Sequence, residues 1–224
     1  MHPLTKDIIN SFSANYNPSI AAGSKAYLRN QFEFYGLQSP LRRELIKAVF
    51  KHHSIKSEAE LISCAKEVWD LPVRECQYAA IELIAKYKKL WTIDIISFFE
   101  YLITTKSWWD SVDTIFSLLL APYFKLFPQQ INTITGRWNK TEDNIWLQRS
   151  SIMFQKPYKK DTDTALLKQY ILNCNHSKEF FIQKAIGWAL REYAKTNPDW
   201  VKEFVANTKL APLSIREALK HIGK

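Results

Sequence analysis

Apolar residues recur along most of this chain at spacings of three and four, the period of a helix with one buried face. The segments that carry this period run roughly 10 to 18 residues and are separated by short polar breaks such as Lys88-Lys89 and Asn139-Lys140. Trp108, Val112, Ile115 and Leu119 keep the i, i+4, i+7, i+11 pattern of a buried stripe. Phe98, Phe99 and Leu102 carry the short β-branched run at Ile93–Ile96 into the same helical period. Asn17-Pro18, Ser39-Pro40 and Asn197-Pro198 each put a capping residue before a proline at the first helical position. Ser57-x-x-Glu60 and Ser107-x-x-Asp110 read as capping boxes. The pattern predicts about twelve helices and no strand, and only 5 glycines in 224 residues argue against a turn-rich β protein.

The middles of alternate helices align. Arg43-Glu44-Leu45, Tyr78-Ala79-Ala80, Asp113-Thr114-Ile115, Arg149-Ser150-Ser151, Lys184-Ala185-Ile186 and Glu217-Ala218-Leu219 begin 35, 35, 36, 35 and 33 residues apart. A sustained period of this length, with two helices per unit, predicts an all-α protein: an α-solenoid of HEAT-like helical repeats with about six helix pairs. One domain over residues 1–224 is expected, its second helices lining a concave basic groove.

In that register Arg43, Asp113, Arg149 and Lys184 occupy one column, with Tyr78 and Glu217 toward the margins. Lys156, Trp188 and Arg191 extend the stripe by one or two turns. Basic residues interleaved with aromatics suit a sugar-phosphate backbone. Asp113 is the exception. It lies too far into its helix for capping, one turn beyond Trp109, and repels phosphate. Either it is a solvated or salt-bridged surface acid, or it does something other than bind. A carboxylate can stabilise the oxocarbenium-like state of hydrolysis at a sugar C1′ and orient water. No second acid suits the general-acid role, because Asp110 belongs to the cap and Glu142 and Asp143 to another helix start. One acid suffices where the leaving group is already cationic, as in an N3- or N7-alkylated purine.

An excess of 31 Lys and Arg over 22 Asp and Glu, a formal net charge of +9, agrees with a polyanionic partner. The three cysteines, Cys64, Cys76 and Cys174, are scattered, odd in number and without C-x-x-C spacing, so they read as packing thiols rather than a disulfide framework or zinc site. No His/Asp/Glu cluster has ligand spacing, and no metal or other cofactor is expected. The N-terminus lacks a signal-peptide apolar core and no run reaches the ~18 residues of a membrane span. A soluble, cytoplasmic, nucleoid-associated monomer is expected.

The strings Thr105-Lys106-Ser107-Trp108-Trp109-Asp110-Ser111-Val112-Asp113, Asn144-Ile145-Trp146-Leu147-Gln148-Arg149 and Lys178-Glu179-Phe180-Phe181-Ile182-Gln183-Lys184-Ala185-Ile186-Gly187-Trp188 carry a resemblance, as does the continuation Leu190–Pro198. Through them the chain resembles the AlkD-like DNA alkylation repair glycosylases over essentially its full length, from Met1-His2-Pro3 to Leu219-Lys220-His221-Ile222. The resemblance implies a monofunctional DNA glycosylase that excises 3-methyladenine and 7-methylguanine from duplex DNA without extruding the base. Asp113 is then catalytic, and Trp109 and Trp188 hold the deoxyribose of the lesion. Arg149 contacts the DNA backbone, as do Arg191, Tyr27 and Gln38; Lys184, Arg43 and Lys156 are added to the expected DNA contacts by the column and its extension. A subgroup of the family lacks the flanking tryptophans; this chain has both. Gln155-Lys156-Pro157-Tyr158 departs from the pattern, the proline shortening the helix that carries Lys156. The competing reading is a non-catalytic HEAT-like solenoid that binds nucleic acid or a protein partner.

Overall fold

Side-chain caps and prolines start many of the helices. In the computed structural model, which describes residues 1–222, Asn17 accepts from the Ile20 N–H at 3.1 Å and Asn197 from the Trp200 N–H at 3.0 Å, each followed by its proline. Ser57 accepts from the Glu60 N–H at 3.2 Å, but the Glu60 carboxylate takes the Lys56 N–H instead of closing the box. Two expected caps are absent. Ser39 is already helical, with Gln38 at the cap position and no side-chain bond. Ser107 turns its hydroxyl back to the Ile103 carbonyl at 2.6 Å, so Trp108 stands at the cap and the helix starts at Trp109. Gly223 and Lys224, the end of the expected 1–224 domain, lie outside the described residues.

Two compact units, Met1–Phe98 and Phe99–Lys224, divide the chain. The first holds α1 (Pro3–Ala14), α2 (Pro18–Tyr27), α3 (Ser39–Lys51), α4 (Glu58–Asp70) and α5 (Arg74–Lys86). The run at Ile93–Ile95 is a short 3-10 turn leading into α6 (Ile96–Thr104), so it is helical as expected. The second unit continues with α7 (Trp109–Ile115), α8 (Ala121–Leu126), α9 (Ile131–Lys140), α10 (Ile145–Met153), α11 (Thr164–Cys174), α12 (Phe180–Ala194), α13 (Pro198–Ala206) and α14 (Pro212–Leu219). The architecture is an all-α helical repeat. The described residues pair in β fashion only at a single bridge, Glu33 to Val73. No helix of the described residues is long and apolar enough to cross a membrane, and none of their acids, histidines or cysteines group into a possible metal site.

The repeat is visible in the contacts of the second unit. Glu100–Arg137, Thr135–Tyr170, Asn139–Cys174 and Ala121–Tyr158 are bonded at separations of 35 to 37 residues. Helices α7, α10, α12 and α14 pack one against the next. Phe116, Phe124, Trp138 and Phe154 lie wholly inside, and Phe124 meets Trp138 and Phe154 edge-on at 6.2 and 5.0 Å; each such ring contributes roughly 1.5–3 kcal/mol by leaving water.

Candidate active site

Helix α7 is short because the chain beyond it cannot keep α-helical bonding. Pro122, near the start of α8, lacks an N–H and its ring crowds the carbonyl four residues back. The preceding turn, Phe116–Leu120, widens into a π-helix. Thr114 and Ser117 also donate their hydroxyls to the carbonyls of Asp110 and Asp113, at 2.8 and 2.9 Å. Val112 and Ile115 point fully inward, and Trp108 packs its ring 5.9 Å from Trp146 and 5.4 Å from Phe181. This stripe anchors α7 and leaves Asp113 partly exposed, one turn after the partly exposed Trp109.

Asp113 is gripped by Arg149 of α10. The guanidinium donates Nε–H to Oδ1 at 2.9 Å and Nη2–H to Oδ1 and Oδ2 at 2.8 and 3.0 Å, while Nη1–H goes to the Phe181 carbonyl at 2.8 Å. Only 1% of the Arg149 side chain is exposed against 20% of Asp113. Expected at the DNA backbone, Arg149 is instead buried with its donors used inside the protein. Of the two readings open for Asp113, a salt-bridged acid or a working one, the ion pair is present and still leaves the carboxylate edge open. Burial pushes the Asp113 carboxyl above the ordinary aspartate range; the Arg149 guanidinium and then Lys156 pull against it.

Trp188 of α12 is ringed by cations. Arg149, Lys184 and Arg191 lie 5.3, 5.4 and 5.5 Å from its ring centre and Lys156 lies 6.0 Å away. Lys184 and Arg191 are also engaged within the protein, their side chains 22% and 24% exposed: both bond Glu217 of α14, at 2.7 and 2.8 Å, and the Trp188 indole N–H donates to the same carboxylate at 3.1 Å. The hydrogen bond from Lys184 leads in holding the Glu217 carboxyl below the ordinary glutamate range, so it stays ionised and is no proton donor. Pro157 does end the α-helical path early, at Met153, yet the following 3-10 turn returns Lys156 to within 5.7 Å of the Phe116 ring. Lys156 forms no salt bridge among the described residues.

The second unit thus brings together Asp113, Arg149, Lys156, Trp188, Lys184 and Arg191. Sequence reading missed Glu217 as the acid serving three of them. Tyr27, Gln38 and Arg43 belong to the first unit and are all on its surface, Tyr27 72% exposed and the Arg43 side chain 70% exposed. There Glu75 fixes the loop before Gln38, accepting the N–H groups of Tyr35, Gly36 and Leu37 at 3.1, 2.8 and 3.0 Å. Gly36 is required by this turn: its φ is +80°, and a Cβ would lie 2.2 Å from the Asn17 carbonyl oxygen.

A family model described as "DNA alkylation repair enzyme" matches residues 8–222. Among solved structures, one titled a predicted DNA alkylation repair enzyme from Enterococcus faecalis is 34% identical, with a TM-score of 0.86 over 94% of this chain and 98% of that one. AlkD2 and smu.31, both from Streptococcus mutans, are 18% and 17% identical, with TM-scores of 0.62 and 0.60. Each alignment covers 91% of this chain, with 100% of AlkD2 and 98% of smu.31, and shares the fold. No curated protein matches.

Proposed function

The chain belongs to the family of DNA alkylation repair enzymes, and from that premise we propose that it is a monofunctional DNA glycosylase for cationic N3- and N7-alkylpurines such as 3-methyladenine and 7-methylguanine. The observation that carries this reading is the Asp113 carboxylate: held at both oxygens by Arg149, desolvated, and still 20% exposed, with the same guanidinium 5.3 Å from the Trp188 ring centre. An acid needed only for an ion pair gains nothing from an open edge.

In the proposed reaction the C1′–N9 bond breaks and its electron pair returns to the alkylpurine, cancelling that ring's positive charge, so no general acid is required. Positive charge develops on the deoxyribose. A carboxylate about 4 Å away at an effective dielectric near 20 stabilises it by about 4 kcal/mol, which is worth on the order of 10³ in rate. Water then adds at C1′ and gives its proton to Asp113 or to solvent. Trp109 and Trp188 flank the sugar and offer ring faces to the cation. Arg149 acts through Asp113, keeping it ionised and in one orientation, rather than on the DNA backbone. Lys156, without a carboxylate partner among the described residues, is the cation best able to take a phosphate, with Arg43, Gln38 and Tyr27 of the first unit as further contacts. Approach from the sugar side asks for no extrusion of the base.

The test is to incubate the protein with N-methylated duplex DNA and assay the released base and the strand. Free 7-methylguanine or 3-methyladenine with abasic sites in uncut strands is expected. Binding without release of any base would leave the non-catalytic, nucleic-acid-binding reading.

A further inference from the structure

Glu217 sits 33 residues beyond Lys184, at the next position of the repeat column, and is 7% exposed. Its Oε2 accepts the Trp188 indole N–H at 3.1 Å and an Arg191 guanidinium N–H at 2.8 Å, while Oε1 accepts from the Lys184 ammonium at 2.7 Å. The backbone around it is locked as well. A Cβ on Gly187, the residue before Trp188, would lie 2.5 Å from the Glu217 Cβ and 2.8 Å from the Ser214 carbonyl oxygen. Only a glycine lets α12 and α14 come this close. Ser214 adds a hydroxyl bond to the Gln183 carbonyl at 2.8 Å across the same seam.

An indole ring turns about two side-chain torsions, and cations surrounding its face do not fix its angle. A hydrogen bond from the ring N–H to an immobile acceptor does. Resting on the glycosylase reading above, we propose that Glu217 is a positioning residue of the active site: it sets the plane of Trp188 against the deoxyribose and ties back Lys184 and Arg191. Those two cations then serve the geometry of Trp188 rather than the affinity for phosphate. Removing the carboxylate should therefore split two quantities that fall together when a binding residue is lost. The rate at saturation drops because Trp188 is no longer held, while DNA affinity rises because two cations are released to phosphate.

The experiment compares the full-length wild type with Glu217→Leu and Glu217→Gln. It reads thermal melting, DNA affinity against salt, single-turnover base release, and the indole ¹H–¹⁵N resonance of Trp188, assigned with Trp188→Phe. Glu217→Leu is expected to shift that resonance upfield, to slow base release about tenfold and to bind DNA more tightly with a steeper salt dependence. Glu217→Gln keeps an oxygen for the indole N–H and should hold the rate within about threefold, while tightening DNA binding in the same way. Should Glu217→Leu not fold, Gly187→Ala separates Glu217 from Trp188 without altering either side chain, and the same shift and slowing are expected. If the wild type releases base and the folded variants match it in rate and resonance, the role of Glu217 is overturned while the glycosylase reading stands. A wild type that releases no base overturns that reading, and with it the catalytic purpose of the contact.

Discussion

Glu75 in the first unit and Asp113 in the second are both carboxylates drawn inward on their helices, and the protein uses them differently. Glu75 is 2% exposed and gives both oxygens to three backbone N–H groups of one loop, so nothing remains for a ligand. Among the described residues the Asp113 carboxylate takes hydrogen bonds from Arg149, which grips it from the buried side and leaves the side chain 20% exposed. The contrast separates an acid that completes the scaffold from one that the scaffold presents. Burial alone does not distinguish them; the placement of their partners does.

Arg149→Ala should break the contrast most severely, because it leaves Asp113 desolvated and unpaired. Removing one member of a buried pair costs about 3–5 kcal/mol, and the 20% exposure of Asp113 places this case near the lower end. Chemical denaturation would measure that loss, and base release should fall with it because the carboxylate is no longer held in one orientation. Glu75→Gln should lower stability by about 1–3 kcal/mol, since an amide N–H₂ would face backbone donors. Its base release at saturating DNA should equal the wild type's, whereas any change at Asp113 should show in the rate. The smallest expected effect concerns pH. Burial holds the Asp113 carboxyl above its ordinary value of 3.8, and only the ionised form stabilises a cation. The single-turnover rate should therefore fall as pH drops, with its midpoint above 3.8, by about tenfold per unit once below it. Asp113→Asn should show no such step.

Much of this was legible before any coordinates. The period near 35 puts Arg43, Asp113, Arg149 and Lys184 in one column with Tyr78 and Glu217 toward its margins, and Asp113, Arg149, Lys184 and Glu217 lie within helices that pack in sequence. The pairings were also within reach: Asp113 with Arg149 and Lys184 with Glu217 are opposite charges at successive column positions. A reading of the cations as a surface for phosphate hides them, because neighbours one repeat apart are close enough to neutralise each other. The expected Ser107 box does not form, for a local reason. A serine hydroxyl can bond forward to a new helix or back to the preceding turn, and here the Ile103 carbonyl took it. The widened turn after Ile115 had a visible cause in Pro122, but a buried stripe at regular spacing hid the change of register. Glu75 could not have been found from its own surroundings in the sequence, since its three donors lie 38 to 40 residues away.

The central claim is that Asp113 is presented for chemistry rather than held for stability. The most direct measurement is single-turnover release of 7-methylguanine from methylated duplex DNA by the wild type and by Asp113→Asn, at protein concentrations that saturate binding of both. The variant should release base more slowly by about 10²–10³, with DNA affinity equal to or above the wild type's because a negative charge has gone. Equal rates in the two proteins would contradict it, and would reduce Asp113 to a salt-bridge partner of Arg149.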